Sequence, residues 1–299
     1  MSRKKRLLWL DALRGFTAVS MVLYHGMWDA VWLYGVHAPW YRALPGYVWQ
    51  QSICWTFIFL AGFSWRFDRR PLKRGMLVSG AGLLITALTL FFMPESRIIF
   101  GVLTLIGSCI LLMIPLDRLL DHSGKRGGEH DGKHDGKHDG LQSADKGPGG
   151  RPLYGFLAAV LLFFLTRNVN AGSLGFERLV IAYLPKALYR DLFTTYFGFP
   201  YPSFFSTDYF SLIPWFFLFL AGYFAHGIWK TGKSRKESEG AESAQKKNAP
   251  EGAFLKENTV SRQPAVLRAF ACIGRHAMLV YILHQPLIML FFLVTGMAG

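Results

Sequence analysis

Seven long stretches nearly free of charge dominate this chain, at about 12–35, 47–65, 75–93, 98–116, 152–167, 209–228 and 269–295. A helix rising 1.5 Å per residue needs about 20 apolar residues to cross roughly 30 Å of hydrocarbon. In lipid every backbone N–H and C=O must be satisfied within the protein, which leaves helices or a closed barrel. Runs of this length predict an all-α fold. The expected architecture is a polytopic membrane helix bundle of about seven transmembrane helices, eight at most. The fifth stretch is the shortest and reaches span length through tilt or its flanks. Residues 176–193 carry Glu177, Arg178, Lys186, Arg190 and Asp191, too many charges for a free span. They read as an amphipathic surface or re-entrant piece.

Charge placement divides the rest. Of the 299 residues 52% are hydrophobic and only 17% charged, where a soluble domain carries about 25%. Residues 117–151 hold 14 of the 52 charged side chains and residues 229–264 hold 13. These two polar tracts cannot bury a core and read as disordered cytoplasmic linkers. The chain therefore divides into a first transmembrane half (1–116), a linker (117–151), further helices with an outer loop (152–228), a second linker (229–264) and a terminal transmembrane helix (265–299). This pattern excludes an ordinary soluble enzyme and a wholly disordered chain. The net charge of +14 follows membrane orientation, not nucleic acid. With the amino terminus in the cytoplasm, 25 Lys and Arg fall inside and 6 outside, as positive-inside asymmetry requires. Trp9, Trp65 and Trp229 then mark inner edges, and Trp40, Trp49 and Trp215 outer ones. The expected location is the cell membrane, multi-pass, with the carboxyl terminus outside.

Several features carry no special chemistry. Cys54, Cys109 and Cys272 lie inside apolar runs, where a thiol behaves as a small hydrophobe, and their spacing suggests neither a disulfide framework nor a metal site. The first apolar stretch lacks the small-residue cleavage site of a signal peptide. The tandem tetrapeptide His130-Asp131-Gly132-Lys133, repeated from His134 and again from His138, reads as a solvated linker; no metal is expected.

The first apolar run carries Asp11, Arg14, His25 and Asp29. Ionisable groups in a span are costly and face a bundle interior or a wet cavity. At about 100° per residue, taking Asp11 as zero, Arg14 falls near −60°, His25 near −40° and Asp29 near 0°. All four share one face. Arg14 and His25 are separated by about 16 Å along the axis, comparable to the reach of a pantetheine arm. An acyl-CoA held through its phosphates by Arg14 at the inner face would present its thioester near His25. The i,i+4 spacing lets Asp29 orient the His25 imidazole as a general base. Two intramembrane ion pairs that fix helix packing would also account for the four residues.

The resemblance is carried by Leu10-Asp11-Ala12-Leu13-Arg14-Gly15 running on to Met21-Val22-Leu23-Tyr24-His25, and by Phe57-Ile58-Phe59-Leu60-Ala61-Gly62-Phe63-Ser64. It continues through Phe100-Gly101-Val102-Leu103-Thr104-Leu105-Ile106-Gly107, Asp208-Tyr209-Phe210-Ser211-Leu212-Ile213-Pro214-Trp215, Gly274-Arg275-His276 and Tyr281-Ile282-Leu283-His284-Gln285-Pro286. Together these blocks resemble the heparan-alpha-glucosaminide N-acetyltransferase catalytic-domain family. The Arg–ten residues–His pattern is also similar to that of inner-membrane sugar O-acyltransferases. The resemblance implies a transmembrane acetyltransferase that takes acetyl from cytoplasmic acetyl-CoA, its co-substrate, and delivers it to an amine or hydroxyl of a glycan on the other side. A family histidine eleven residues beyond the position of His25 makes His37, one residue further, a second catalytic candidate.

The candidate catalytic residues are thus His25, Asp29, His37 and His284. Asp11, Arg14, Arg275 and His276 are candidates for binding the donor, with Asp11 positioning Arg14. Asp208 would orient the acceptor or cap the sixth span. His284 precedes Pro286, whose ring removes a backbone hydrogen bond, so it could instead serve freed carbonyls. Arg275, His276 and His37 could serve as interface residues, and His226 reads as an inner-edge residue reaching for the headgroups. Expected partners are membrane lipid and a small-molecule or glycan acceptor, with no nucleic acid; the sequence also leaves room for a homodimer. Direct transfer and an acetyl-histidine intermediate both fit. The alternative functions are a proton-coupled transporter using the same stripe as a relay, and a catalytically dead scaffold.

Overall fold

A computed structural model describes residues 7–126, 151–246 and 264–295. Nine α-helices occur among them: α1 (Leu8–Trp32), α2 (Leu44–Ser64), α3 (Pro71–Phe92), α4 (Val102–Arg126), α5 (Arg151–Leu165), α6 (Leu192–Phe197), α7 (Leu212–Lys246), α8 (Ala265–Arg275) and α9 (Ala277–Val294). Five stretches are long and apolar enough to cross a bilayer: Pro71–Phe92, Val102–Leu120, Pro152–Ala171, Leu212–Arg235 and Ala277–Val294. The protein is a polytopic helical membrane protein. Helices α1 and α2, at 25 and 21 residues, have span length. The ionisable stripe of α1, and Gln50, Gln51 and Ser52 of α2, lower their hydropathy.

The structure differs from the sequence reading in four places. Residues 117–126 and 229–246, expected to be disordered, continue α4 and α7 as helix. Extending an existing helix needs no new nucleus, and the Lys, Arg, Glu, Ala and Gln of 229–246 favour helix. The remainder of both linkers, including the tetrapeptide repeat, lies outside the described residues. Within the all-α fold, the stretch read as an amphipathic surface or re-entrant piece begins as a two-stranded antiparallel hairpin, β1 (Ser173–Phe176) and β2 (Leu179–Tyr183), with an irregular register at Leu174/Gly175. Leu-Val-Ile-Ala-Tyr is strand-forming, and Gly175, at φ +135°, takes the bulge that few other residues tolerate. Short α6 follows, capped by Asp191, whose Oδ1 accepts from the Thr194 N–H at 2.9 Å. That bond holds the Asp191 carboxyl below its usual range.

The third difference is that the last apolar run is two helices, not one, broken at His276. Helix α8 is amphipathic and lies against α1, so the turn at His276 lets α9 leave in a new direction. Lastly, His226 does not reach outward. It is buried, with its ring edge-on to Phe67 at 4.7 Å and near Phe63 and Trp229.

The chain forms two compact units, Met1–Leu60 with Ala244–Gly299, and Ala61–Ser243. In the first, α1 packs against α8 and α9. The Trp49 indole N–H donates to Ser20 Oγ at 2.8 Å and Tyr41 donates to the Tyr24 carbonyl at 3.1 Å. Those bonds fasten the start of α2 and the preceding loop to α1. In the second unit α3 packs on α4, with Gly82 against Thr104 and Gly107 against Ser79 where a Cβ would collide. The Asp117 carboxylate of α4 accepts from Tyr223 of α7 and from Arg66. Residues 206–210 are stitched to 96–100: Ile99 N–H donates to Ser206 Oγ at 2.9 Å and Phe210 N–H to the Phe100 carbonyl at 2.8 Å.

Candidate active site

The ionisable stripe of α1 is met along its length by α8 and α9, both in the first unit. Toward the carboxyl-terminal end of α1 the His25 ring lies 4.7 Å from that of His284 on α9, centroid to centroid, inclined at 55°. The Tyr24 ring stands edge-on to His25 at 5.9 Å, and Tyr281 flanks His284 at 5.5 Å. His284 is buried, and its Nδ1 is within hydrogen-bond distance of the Tyr281 carbonyl. A carbonyl only accepts, so Nδ1 must carry the proton there. That tautomer leaves Nε2 as the acceptor nitrogen, the form a general base needs. The backbone role foreseen for His284 thus occupies one of its nitrogens and sets the chemistry of the other.

Asp29 is almost fully buried, at 1% exposure, but it is not bonded to His25. Both its oxygens accept from Gln285 Nε2 of α9, at 3.2 and 3.0 Å. The helix-internal i,i+4 contact is replaced because α9 brings an amide donor to the carboxylate and an imidazole to His25. Gln285 was missed as a site residue. Its signal was a lone amide, adjacent to His284, in an otherwise apolar run. Gln285→Leu removes both hydrogen bonds from a buried carboxylate and should cost about 2 kcal/mol of stability. Thermal unfolding measures this, and Gln285→Glu, which sets two carboxyl groups together, should do no better.

At the other end of the stripe Arg14 Nη1 meets Asp11 Oδ1 at 3.2 Å, both side chains largely covered. Here α1 and α8 cross with backbones touching: a Cβ on Gly15 would lie 1.8 Å from the Phe270 carbonyl oxygen, and one on Gly274 1.8 Å from that of Asp11. The crossing carries Arg275 and His276 to the turn that holds the Asp11–Arg14 pair. Arg275 is exposed, its Nε donating to the Ala271 carbonyl at 3.1 Å. His276 is exposed and pairs through Nδ1 with the Cys272 carbonyl at 3.1 Å. Asp11 offsets the charge of Arg14, so Arg275 adds the excess positive charge. A site with two guanidinium groups and a small-residue crossing suits a phosphate-bearing nucleotide, which Arg recognises strongly.

His37 and Asp208 complete the predicted residues. His37 is exposed in the loop after α1 and shows no contact with the His25–His284 pair. Asp208, in the second unit, accepts the Val102 N–H at 3.4 Å with Oδ2, at the start of α4. Among the described residues no group of three His, Cys, Asp or Glu gathers to hold a metal ion. Beside His284 a cavity of about 860 Å³ opens between α1 and α9, with Trp40 and Trp49 among its lining residues.

No curated protein and no solved structure matches the chain significantly. The sequence pattern of the heparan-alpha-glucosaminide N-acetyltransferase catalytic domain, however, matches residues 6–124 and 153–286. That match takes in both ends of the stripe together with Arg275 and the His284–Gln285 pair. With the helical membrane fold it establishes that this chain belongs to the heparan-alpha-glucosaminide N-acetyltransferase catalytic family and is an acetyl-CoA-dependent membrane acetyltransferase.

Proposed function

We propose that the protein moves acetyl from cytoplasmic acetyl-CoA to an amine or hydroxyl of a sugar or glycan on the opposite side of the membrane. The observation that carries this reading is the meeting of His25 with His284, about 16 Å along α1 from Arg14. Acetyl-CoA supplies an acetyl group activated as a thioester. Arg14, positioned by Asp11, and Arg275 hold its phosphates at the inner end, with His276 beside them. Only a slender arm then has to reach the histidine pair, so no charged nucleotide enters the bilayer.

At that pair His284 Nε2 takes the proton from the acceptor nitrogen or oxygen as it bonds to the acetyl carbon. The C–S bond breaks, and the proton returns from the imidazole to the departing sulfur. His25 packs against the ring that changes charge. Asp29, held by Gln285, stands one helical turn beyond His25 on the same face. Seven spans, α1 to α5, α7 and α9, with the amino terminus inside, put Arg14 at the cytoplasmic face and His37 at the outer mouth. Asp208 serves as a helix cap in this scheme.

Thermal stabilisation tests donor binding. Acetyl-CoA at about 100 times its Kd should stabilise the purified protein by about 2.7 kcal/mol. Arg275→Ala should weaken acetyl-CoA about tenfold, one charge-assisted phosphate contact, while S-acetylpantetheine, which lacks the nucleotide, is unaffected. Equal weakening of both would remove Arg275 from the phosphate site. A cysteine at position 37 should react with an impermeant reagent from outside the cell; labelling from the cytoplasm alone would reverse the orientation.

A further inference from the structure

We infer that the cavity between α1 and α9 receives the hydrocarbon chain of a membrane-borne acceptor, so that the acceptor is an amphipathic glycoside and not a free glycan. This rests on the reading of the protein as a glycan acetyltransferase. The cavity, about 860 Å³, is walled on one side by Leu23, Gly26 and Ala30 of α1 and on the other by Leu283, Leu287 and Phe291 of α9. Leu23, Leu283, Leu287 and Phe291 are themselves 59%, 43%, 59% and 60% exposed. On helices that run through a bilayer, such residues make the opening lateral, from the lipid.

The wall chemistry selects the occupant. His284 is the single ionisable side chain lining the cavity, and the Trp49 indole N–H is already given to Ser20. A free sugar placed there would leave hydroxyls unpaired, and a pantetheine arm would leave two amides unpaired, each at a desolvation cost. An uncharged hydrocarbon chain exchanges one apolar surrounding for another and strands no polar group. At the mouth the Trp40 and Trp49 rings stack at 6.1 Å and 26°, and Trp40 is exposed. Their faces suit the C–H face of a pyranose, and an indole is at home where an apolar body meets a polar medium. The chain thus lies in the cleft and the sugar at the tryptophans, in the same cavity as His284. Tethering in the membrane also raises the local acceptor concentration.

Gly26 gives the test. A Cβ there meets nothing within 4 Å, so Gly26→Leu starts from open space and projects its side chain into the cavity, and leucine is the better helix former. Full-length protein in phosphatidylcholine nanodiscs is titrated with decyl β-glucosaminide, methyl β-glucosaminide and, separately, acetyl-CoA, with thermal unfolding as readout. The decyl compound should stabilise the wild type at concentrations at which the methyl compound does not. Gly26→Leu should need at least tenfold more of the decyl compound yet respond to acetyl-CoA as the wild type does. Gly26→Ala, adding one methyl group, should keep both responses. Equal responses of wild type and Gly26→Leu to the decyl compound would leave ordinary lipid in the cavity and overturn the inference, as would a wild type indifferent to chain length. Loss of the acetyl-CoA response in Gly26→Leu would assign the cavity to the donor's arm and overturn it too. A wild type that ignores acetyl-CoA would instead defeat the acetyltransferase reading, whatever the glycosides do.

Discussion

Alanine at His284 is expected to slow acetyl transfer by two to four orders of magnitude, roughly 10²- to 10⁴-fold, the range a positioned general base contributes. Truncating the ring removes the nitrogen proposed to accept the acceptor's proton and also the ring that packs on His25. His25→Ala should cost a comparable factor. Because the rings act as one unit, the double variant should be scarcely slower than the worse single, as happens when residues share a step. Acetyl-CoA should still stabilise all three variants, since the proposed phosphate site lies toward the other end of α1; that control separates lost chemistry from lost structure. His284→Gln, which keeps a polar group but no basic nitrogen, should be as inactive as alanine. Full activity in His284→Ala with loss in His25→Ala would move the base to His25. Full activity in both would place it outside this pair, with His37 as the remaining candidate on α1 and its loop.

The second large effect is on stability. Gly15→Ala and Gly274→Ala each put a methyl group where a backbone carbonyl already stands, 1.8 Å from the new Cβ. The obstacle is main chain in both cases, so no rotamer change relieves it and α1 and α8 must separate. Overpacking of this kind costs typically 1–3 kcal/mol, and the upper end is expected here. Small residues at a helix crossing are what allow backbones to touch within a membrane protein. The double variant should cost less than the sum of the two singles, because one separation relieves both collisions. Gly26→Ala on the same helix is the control, and should be neutral or stabilising by up to about 1 kcal/mol. Thermal unfolding in one detergent ranks the three. A Gly15→Ala protein as stable as Gly26→Ala would mean that the crossing does not exist as described. The crossing also sets Arg275 beside the Asp11–Arg14 turn, so acetyl-CoA affinity should fall together with stability in Gly15→Ala and Gly274→Ala.

The helices themselves were legible. Length and hydropathy located α1, α2, α3 and α5 within a few residues at both ends, and likewise the starts of α4 and α7 and the end of α9, because a segment in lipid must satisfy its own backbone and advertises this in composition. Residues 117–126 and 229–246 were misread for the complementary reason. Charged residues say that a segment leaves the membrane, not that it leaves the helix. The hairpin 173–183 was hidden among mixed apolar and charged residues whose pairing depends on a bulge at Gly175. His226, read as reaching for the headgroups, is enclosed by Phe63, Phe67 and Trp229, which a linear pattern does not bring together.

The sequence alone determined that this chain lives in a membrane as helices, that four ionisable groups share one face of the first of them, and which family that face belongs to. Each is a statement about spacing along a single helix or composition along a single stretch, and helical periodicity is a local property. Only the tertiary structure decided what meets that face. It joined His25 to His284 and Asp29 to Gln285, 256 residues away in the chain, put Asp208 on the amino terminus of α4, and brought Arg275 to the Asp11–Arg14 turn. Those pairings depend on how α8 and α9 return to α1, through a glycine crossing and a turn at His276. No periodicity along one helix encodes the helix that will lie against it.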